Sequence, residues 1–175
     1  MKTQTPDQTS SVNTALADYL DSKKEAILAD WRGLVLGDGA INAARSINTV
    51  ALTNRLPFIF DDLNNTLRRY RANKFADESV HDAREHGASR WRQGYELSEV
   101  MRELKHFRSV LIYRLKQFEG AHPDHGMAAL LFVATILHRF MDEMVIEVTE
   151  EFLTAQLEMK EEIFRRRLQK PPPTE

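Results

Sequence analysis

Apolar side chains recur at helical spacing through most of the chain, and no stretch alternates as a strand would. Leu16, Leu20, Ile27 and Trp31 share one face, with Ser10 or Ser11 as N-cap and Gly33 as a stop, predicting a first helix over about residues 11–32. Residues 33–40, GLVLGDGA, read as a loop. Leu52, Leu56, Ile59, Leu63 and Leu67, with Phe60 alongside, mark a second helix starting near Ile41 or Asn48. Pro57 lies inside that pattern and predicts a bend, or a fresh segment with Pro57 in its first turn. The basic stretch 66–74, TLRRYRANK, suits the negative end of this helix. Asp77 caps a third helix that reaches Gln93 and is ended by Gly94. A fourth starts near Ser98, buries Val100, Leu104, Phe107, Leu111, Leu115 and Phe118, and ends at Gly120. After a turn at 121–126 the last helix runs from about Met127 to Gln169, where Pro171-Pro172-Pro173 stops it.

The fold class is therefore all-α, a bundle of about five helices. The last helix, at ~1.5 Å per residue, spans about 60 Å, longer than one domain of this size requires. Its seam is Leu130, Val133, Leu137, Phe140, Met144, Val148, Phe152, Ala155 and Met159. From Glu150 onward it is polar except along that seam, the pattern of a helix that leaves its domain to pair with a copy of itself. The expected organisation is a disordered arm at 1–10, a helical domain at 11–150, a protruding helix at 151–170 and a tail at 171–175.

The third helix does not fit an ordinary bundle. Between Val80 and Trp91 its candidate inward positions are Ala83, Arg84, Gly87 and Ala88, where an interior helix usually shows a broad apolar stripe. Either it lies outside or it carries a polar layer inward. Counted from the turn after Gln93, His86 and His106 fall at one level, with Arg90 and Glu103 in the neighbouring layer. Spacing alone favours a solvated face for these four residues, where an ion pair contributes little. The shortage of large apolar residues on the third helix keeps open a buried network, whose members must satisfy one another or hold a ligand.

Other constellations carry less. Glu78/His81 and Glu103/His106 are Glu-x-x-His pairs, as in di-iron bundles. Their heights along the hairpin differ by more than about 10 Å, and no glutamate helix lies between them, so chance is the better account. The glycines at 33, 37 and 39 follow no strand and precede no Gly-Lys-Ser/Thr, which removes a phosphate loop. His122, Asp124 and His125 make a weak metal grip beside a plain turn. His138 and Asp142 are spaced for a local hydrogen bond. A haem- or metal-binding protein would use His86 or His106, but no Cys-x-x-Cys-His is present and no cofactor is expected. There is no Gly-x-Ser-x-Gly either, and Arg165-Arg166-Arg167 reads as a basic helix end.

Composition narrows the classes further. A chain of 175 residues makes one domain with a sizeable core. The absence of cysteine excludes disulfides, thiolate metal sites and thiol catalysis, and fits a cytoplasmic protein. A net charge of −2 gives no field for nucleic acid or anionic lipid. No apolar run approaches the ~20 residues of a membrane span, and the polar start MKTQTPDQTSS is no secretory signal.

His86-x-x-x-Arg90, then Gln93-Gly94-Tyr95-x-Leu97, then Glu103 and Phe107-Arg108 resemble the signature of RsbRD-type N-terminal sensor domains, which accompany stressosome co-antagonists and some bacterial histidine kinases. Leu56-Pro57-x-Ile59 followed by Asp62-Leu63 and Leu67 is similar to that family's Leu-Pro helix, and the likeness covers roughly residues 12–155. The resemblance implies an all-helical, loosely globin-like input domain without catalytic activity. It would act as a homodimer through the C-terminal helix and pass a signal to an output kinase or antagonist domain. Its ligand-binding or polar-network residues would be His86, Arg90, Tyr95, Glu103, His106 and Arg108. The sequence carries no sulfate-transporter/anti-sigma-antagonist domain and no kinase core, so it reads as an N-terminal piece or as a stand-alone protein.

Overall fold

The computed structural model describes residues 6–69 and 77–168. Its elements are α1 (Pro6–Ser22), α2 (Lys24–Gly37), α3 (Thr49–Thr53), α4 (Leu56–Arg69), α5 (Asp77–Arg92), α6 (Leu97–Ala121) and α7 (Gly126–Leu168), with short 3-10 turns at Ala43–Ser46 and Pro123–His125. No strand occurs among the described residues, and the all-α expectation holds. The arm expected at 1–10 is described only from Pro6, where α1 already begins. Most of the basic stretch after Arg69, and the tail from Gln169, lie outside the described residues.

The predicted first helix is two. The Lys23 N–H donates to Leu20 O at 2.9 Å, closing a tighter turn, and Lys23 O then accepts from Ile27 N to start α2. Neither Gly nor Pro marks this break. It lets α1 lie mainly along α4 while α2 lies mainly along α6, a tertiary choice that helical spacing does not register. Gly33 does not stop α2, which continues to Gly37 because Val35 is buried in the core one half-turn later. The expected loop therefore shrinks to the residues after Gly37.

The bend at Pro57 is present. Asn48 caps α3, its Oδ1 accepting from the Ala51 N–H at 2.8 Å. Asn54, at φ 38°, ends α3, and Pro57 occupies the first turn of α4, where a missing N–H leaves no helical bond unmade. At the start of α6, Glu96 and Glu99 form a capping box, each side chain accepting from the other's end of the turn.

α5 packs along α7 more extensively than any other two helices meet. Gly87 lies in that contact and Ala83 and Ala88 beside it are buried, so small side chains take the place of the large apolar ones α5 lacks. A Cβ on Gly87 would stand 2.3 Å from Val148 O and 3.2 Å from Phe152 N, both backbone atoms that cannot swing aside. Arg84, a candidate inward position, instead points out and pairs with Glu147 at 2.7 Å. Trp91 closes the end of the contact edge-on against Phe152, with centroids 5.5 Å apart.

Replacing Gly87 with Ala is expected to lower stability by about 1–3 kcal/mol, measured by urea unfolding. Helix propensity alone predicts a gain of up to about 1 kcal/mol, so a stabilised variant would contradict the close approach.

Candidate functional site

The α5–α6 hairpin turns at Gly94, whose φ of 80° is the left-handed conformation that glycine adopts without steric cost. The Gly94 N–H bonds to Trp91 O at 3.0 Å and the Tyr95 N–H to Arg90 O at 3.1 Å, ending α5 tightly. This brings Arg90, in the last turn of α5, face to face with Glu103, in the second turn of α6. Both are fully buried.

Arg90 uses all five of its N–H groups. Nε donates to Glu103 Oε2 at 2.8 Å and Nη2 to Glu103 Oε1, a bidentate pair. Nη2 also donates to the Leu52 carbonyl, and Nη1 to the Ala51 carbonyl at 3.1 Å and to Gln93 Oε1 at 2.6 Å. Gln93 Nε2 adds a second bond to Ala51 O at 3.1 Å. Ala51 and Leu52 lie in the last turn of α3, whose carbonyls have no helical partner, so one guanidinium closes the end of that helix. The Tyr95 ring lies with its centroid 4.9 Å from Arg90 Cζ, and Trp31 Nε1 of α2 donates to the Glu103 backbone carbonyl at 3.2 Å. Four segments therefore meet at one ion pair.

His86 lies one turn from Arg90 and is fully buried, with Nε2 3.7 Å from Glu103 Oε1 and neither ring nitrogen hydrogen-bonded. Burial, reinforced by the Arg90 charge, holds its pKa well below the ordinary histidine value, so the ring is neutral. Burial also pushes the Tyr95 hydroxyl upward, and that hydroxyl too has no hydrogen-bond partner. For Glu103 burial raises the carboxyl and Arg90 opposes the rise. The layer thus holds one compensated charge pair and two neutral polar groups with unused capacity.

The other predicted residues lie elsewhere. His106, one turn along α6 but about 60° around it, faces the end of α2, where Nε2 meets Asp38 Oδ2 at 2.9 Å. The structure therefore separates His106 from His86, although counting from the turn put them at one level. Arg108 bonds Asp142 of α7 at 2.8 Å on the surface, and His138 shares that carboxylate. His122 stacks on Phe118 with ring centroids 4.3 Å apart, and its Nδ1 bonds to the Phe118 carbonyl at 3.0 Å; among the described residues no three His, Cys, Asp or Glu side chains converge to hold an ion. Asp38 and Glu99 contribute to the site region and were not singled out by spacing, which marked Trp31 only as part of the first helix's apolar face. Their partners are backbone groups or residues more than fifty positions away, which no periodicity displays.

The chain belongs to the family of the RsbT co-antagonist protein rsbRD N-terminal domain, whose model matches residues 65–167. That places it among stressosome-related regulatory domains. The matched stretch runs from the end of α4 through α7 and contains His86, Arg90, Tyr95 and Glu103; α1 to α3 precede it. No curated protein and no solved structure matches the chain.

The neutral state of buried His86 sets a pH dependence. The unfolded chain takes a proton at this residue near 6.5 and the folded chain does not, so its contribution to stability is full above that pH and is lost as pH falls below it. The raised Glu103 carboxyl acts with the opposite sign, so the informative quantity is a difference between proteins. Urea unfolding from about pH 5 to 8 should show wild type losing more stability toward acid than His86→Gln, by up to about 1.4 kcal/mol per pH unit. Parallel curves would show that His86 titrates alike in both states.

Proposed function

We propose that the chain is the non-catalytic input domain of a bacterial signalling protein, acting as a homodimer and passing its state through α7 to an output kinase or antagonist domain. The observation that carries this reading is the second half of α7. The helix has 43 residues, about 65 Å at ~1.5 Å per residue, and Phe152 is its last buried side chain. Beyond it stand exposed Leu153, Leu157, Met159, Ile163, Phe164 and Leu168. Leu153, Leu157, Phe164 and Leu168 fall within about 60° of one another around the helix, a stripe of the kind that pairs two helices. This stripe differs from the Ala155–Met159 seam expected from the sequence. Those two residues instead line a groove of about 440 Å³ that ends against Trp91 and Arg92.

Family membership supports the regulatory part of the proposal, and the absence of a membrane-length apolar helix among the described residues accords with a cytoplasmic setting. The globin-like arrangement implied by the resemblance belongs to the same proposal. Movement at the His86–Arg90–Glu103 layer would reach α7 through the Gly87 contact, because α5 carries both.

Light scattering of the chain is expected to give a dimer. Leu157→Lys with Phe164→Lys should raise the dimer dissociation constant at least about tenfold while leaving the thermal transition of the helical domain in place. A wild-type monomer across micromolar concentrations would refute dimerisation through this helix.

A further inference from the structure

The connection from Asp38 to Arg55 crosses the α5–α6 hairpin as a strap whose only buried apolar side chains are Ile41, Ala44 and Leu52, with half-buried Ala43 and Ile47 packed against the core beside them. Its polar side-chain ties to other helices end on that hairpin. At its start, Asp38 meets His106 at 2.9 Å and Arg102 at 3.7 Å. In the middle, Glu99 Oε1 accepts from the N–H groups of Asn42 at 2.5 Å and Ala43 at 3.1 Å. Near its end, Arg90 and Gln93 hold the Ala51 and Leu52 carbonyls. At the last residue, Arg55 reaches Asp82 at 3.4 Å and Glu85 at 4.0 Å.

We propose that residues 38–55 form a strap that opens and closes as one unit over the α5–α6 hairpin, with the Arg90–Gln93 grip on α3 as its latch. Three physical features support this. The strap has only three fully buried apolar side chains over its length, which places it toward the low-stability end of the fold. Its own backbone bonds, such as Leu52 N–H to Asn48 O and Asn54 N–H to Val50 O, belong to a helix of only five residues, which has too few bonds to persist once released from the hairpin and opens with the strap. The Arg90–Glu103 pair is complete without the strap, so releasing the two carbonyls exposes guanidinium N–H groups to water and leaves the pair made. The strap's Ala51 and Leu52 carbonyls cover the Arg90 guanidinium, so its opening uncovers that part of the polar layer. The inference is independent of dimerisation through α7.

Hydrogen exchange of the full chain tests it. Gln93→Ala removes a clamp at the end of the strap and Glu99→Gln weakens one in its middle. Each variant is expected to speed exchange at amides along the whole strap, including Ile41, Ala43, Leu52 and Asn54, by about tenfold, the loss of a hydrogen bond of roughly 1.4 kcal/mol. Amides in the cores of α6 and α7 should keep their wild-type rates in both. Acceleration confined to the end that lost its clamp would overturn the single-unit opening. So would acceleration spread equally over α6 and α7, because the strap would then open only with the whole domain.

Discussion

The ion pair between Arg90 and Glu103 is the constraint on which the centre of this fold depends. Taking two charges out of water costs several kcal/mol each unless the geometry repays it, and a buried charge without its partner is strongly destabilising. Here the guanidinium is fully satisfied: two bonds to the carboxylate, two to carbonyls of α3 and one to Gln93. Satisfying it fixes the pitch of the α5–α6 hairpin, the end of α3 and, through the Trp31 bond to the Glu103 carbonyl, the position of α2. A wholly apolar centre would bury more surface and specify less about which segments meet.

α5 divides its work between two faces. One carries Gly87 and lets α7 approach until only a hydrogen fits at that position. The other carries His86 and Arg90 into the polar layer. Neither face uses a large aliphatic side chain, so the helix is held by close backbone contact and by charge. Such contacts respond steeply to small displacements, because packed interfaces do not deform continuously.

Much of the helical plan was legible in the sequence. The stripes of α4, α6 and α7, the bend before Pro57 and the Gly94 turn follow from spacing and backbone chemistry. The split at Lys23 was not, because it answers to the packing of α1 and α2 on different neighbours. The polarity of α5 signalled something unusual, yet spacing favoured a solvated face, and the structure buries His86, Arg90 and Glu103 completely. What spacing lacked was the acceptor set: two carbonyls from α3, nearly forty residues away, that make burial of a guanidinium tolerable. His106 was misplaced for a simpler reason, since residue counting gives height along a helix and not direction around it.

The central claim is that Arg90 and Glu103 are coupled and organise the fold together. A double-mutant cycle with Arg90→Met, Glu103→Leu and the pair of changes, followed by urea unfolding, measures that coupling. Each single change is expected to cost about 3–5 kcal/mol, and the double variant to recover most of the loss. Single effects that simply add, with a coupling below about 0.5 kcal/mol, would contradict it.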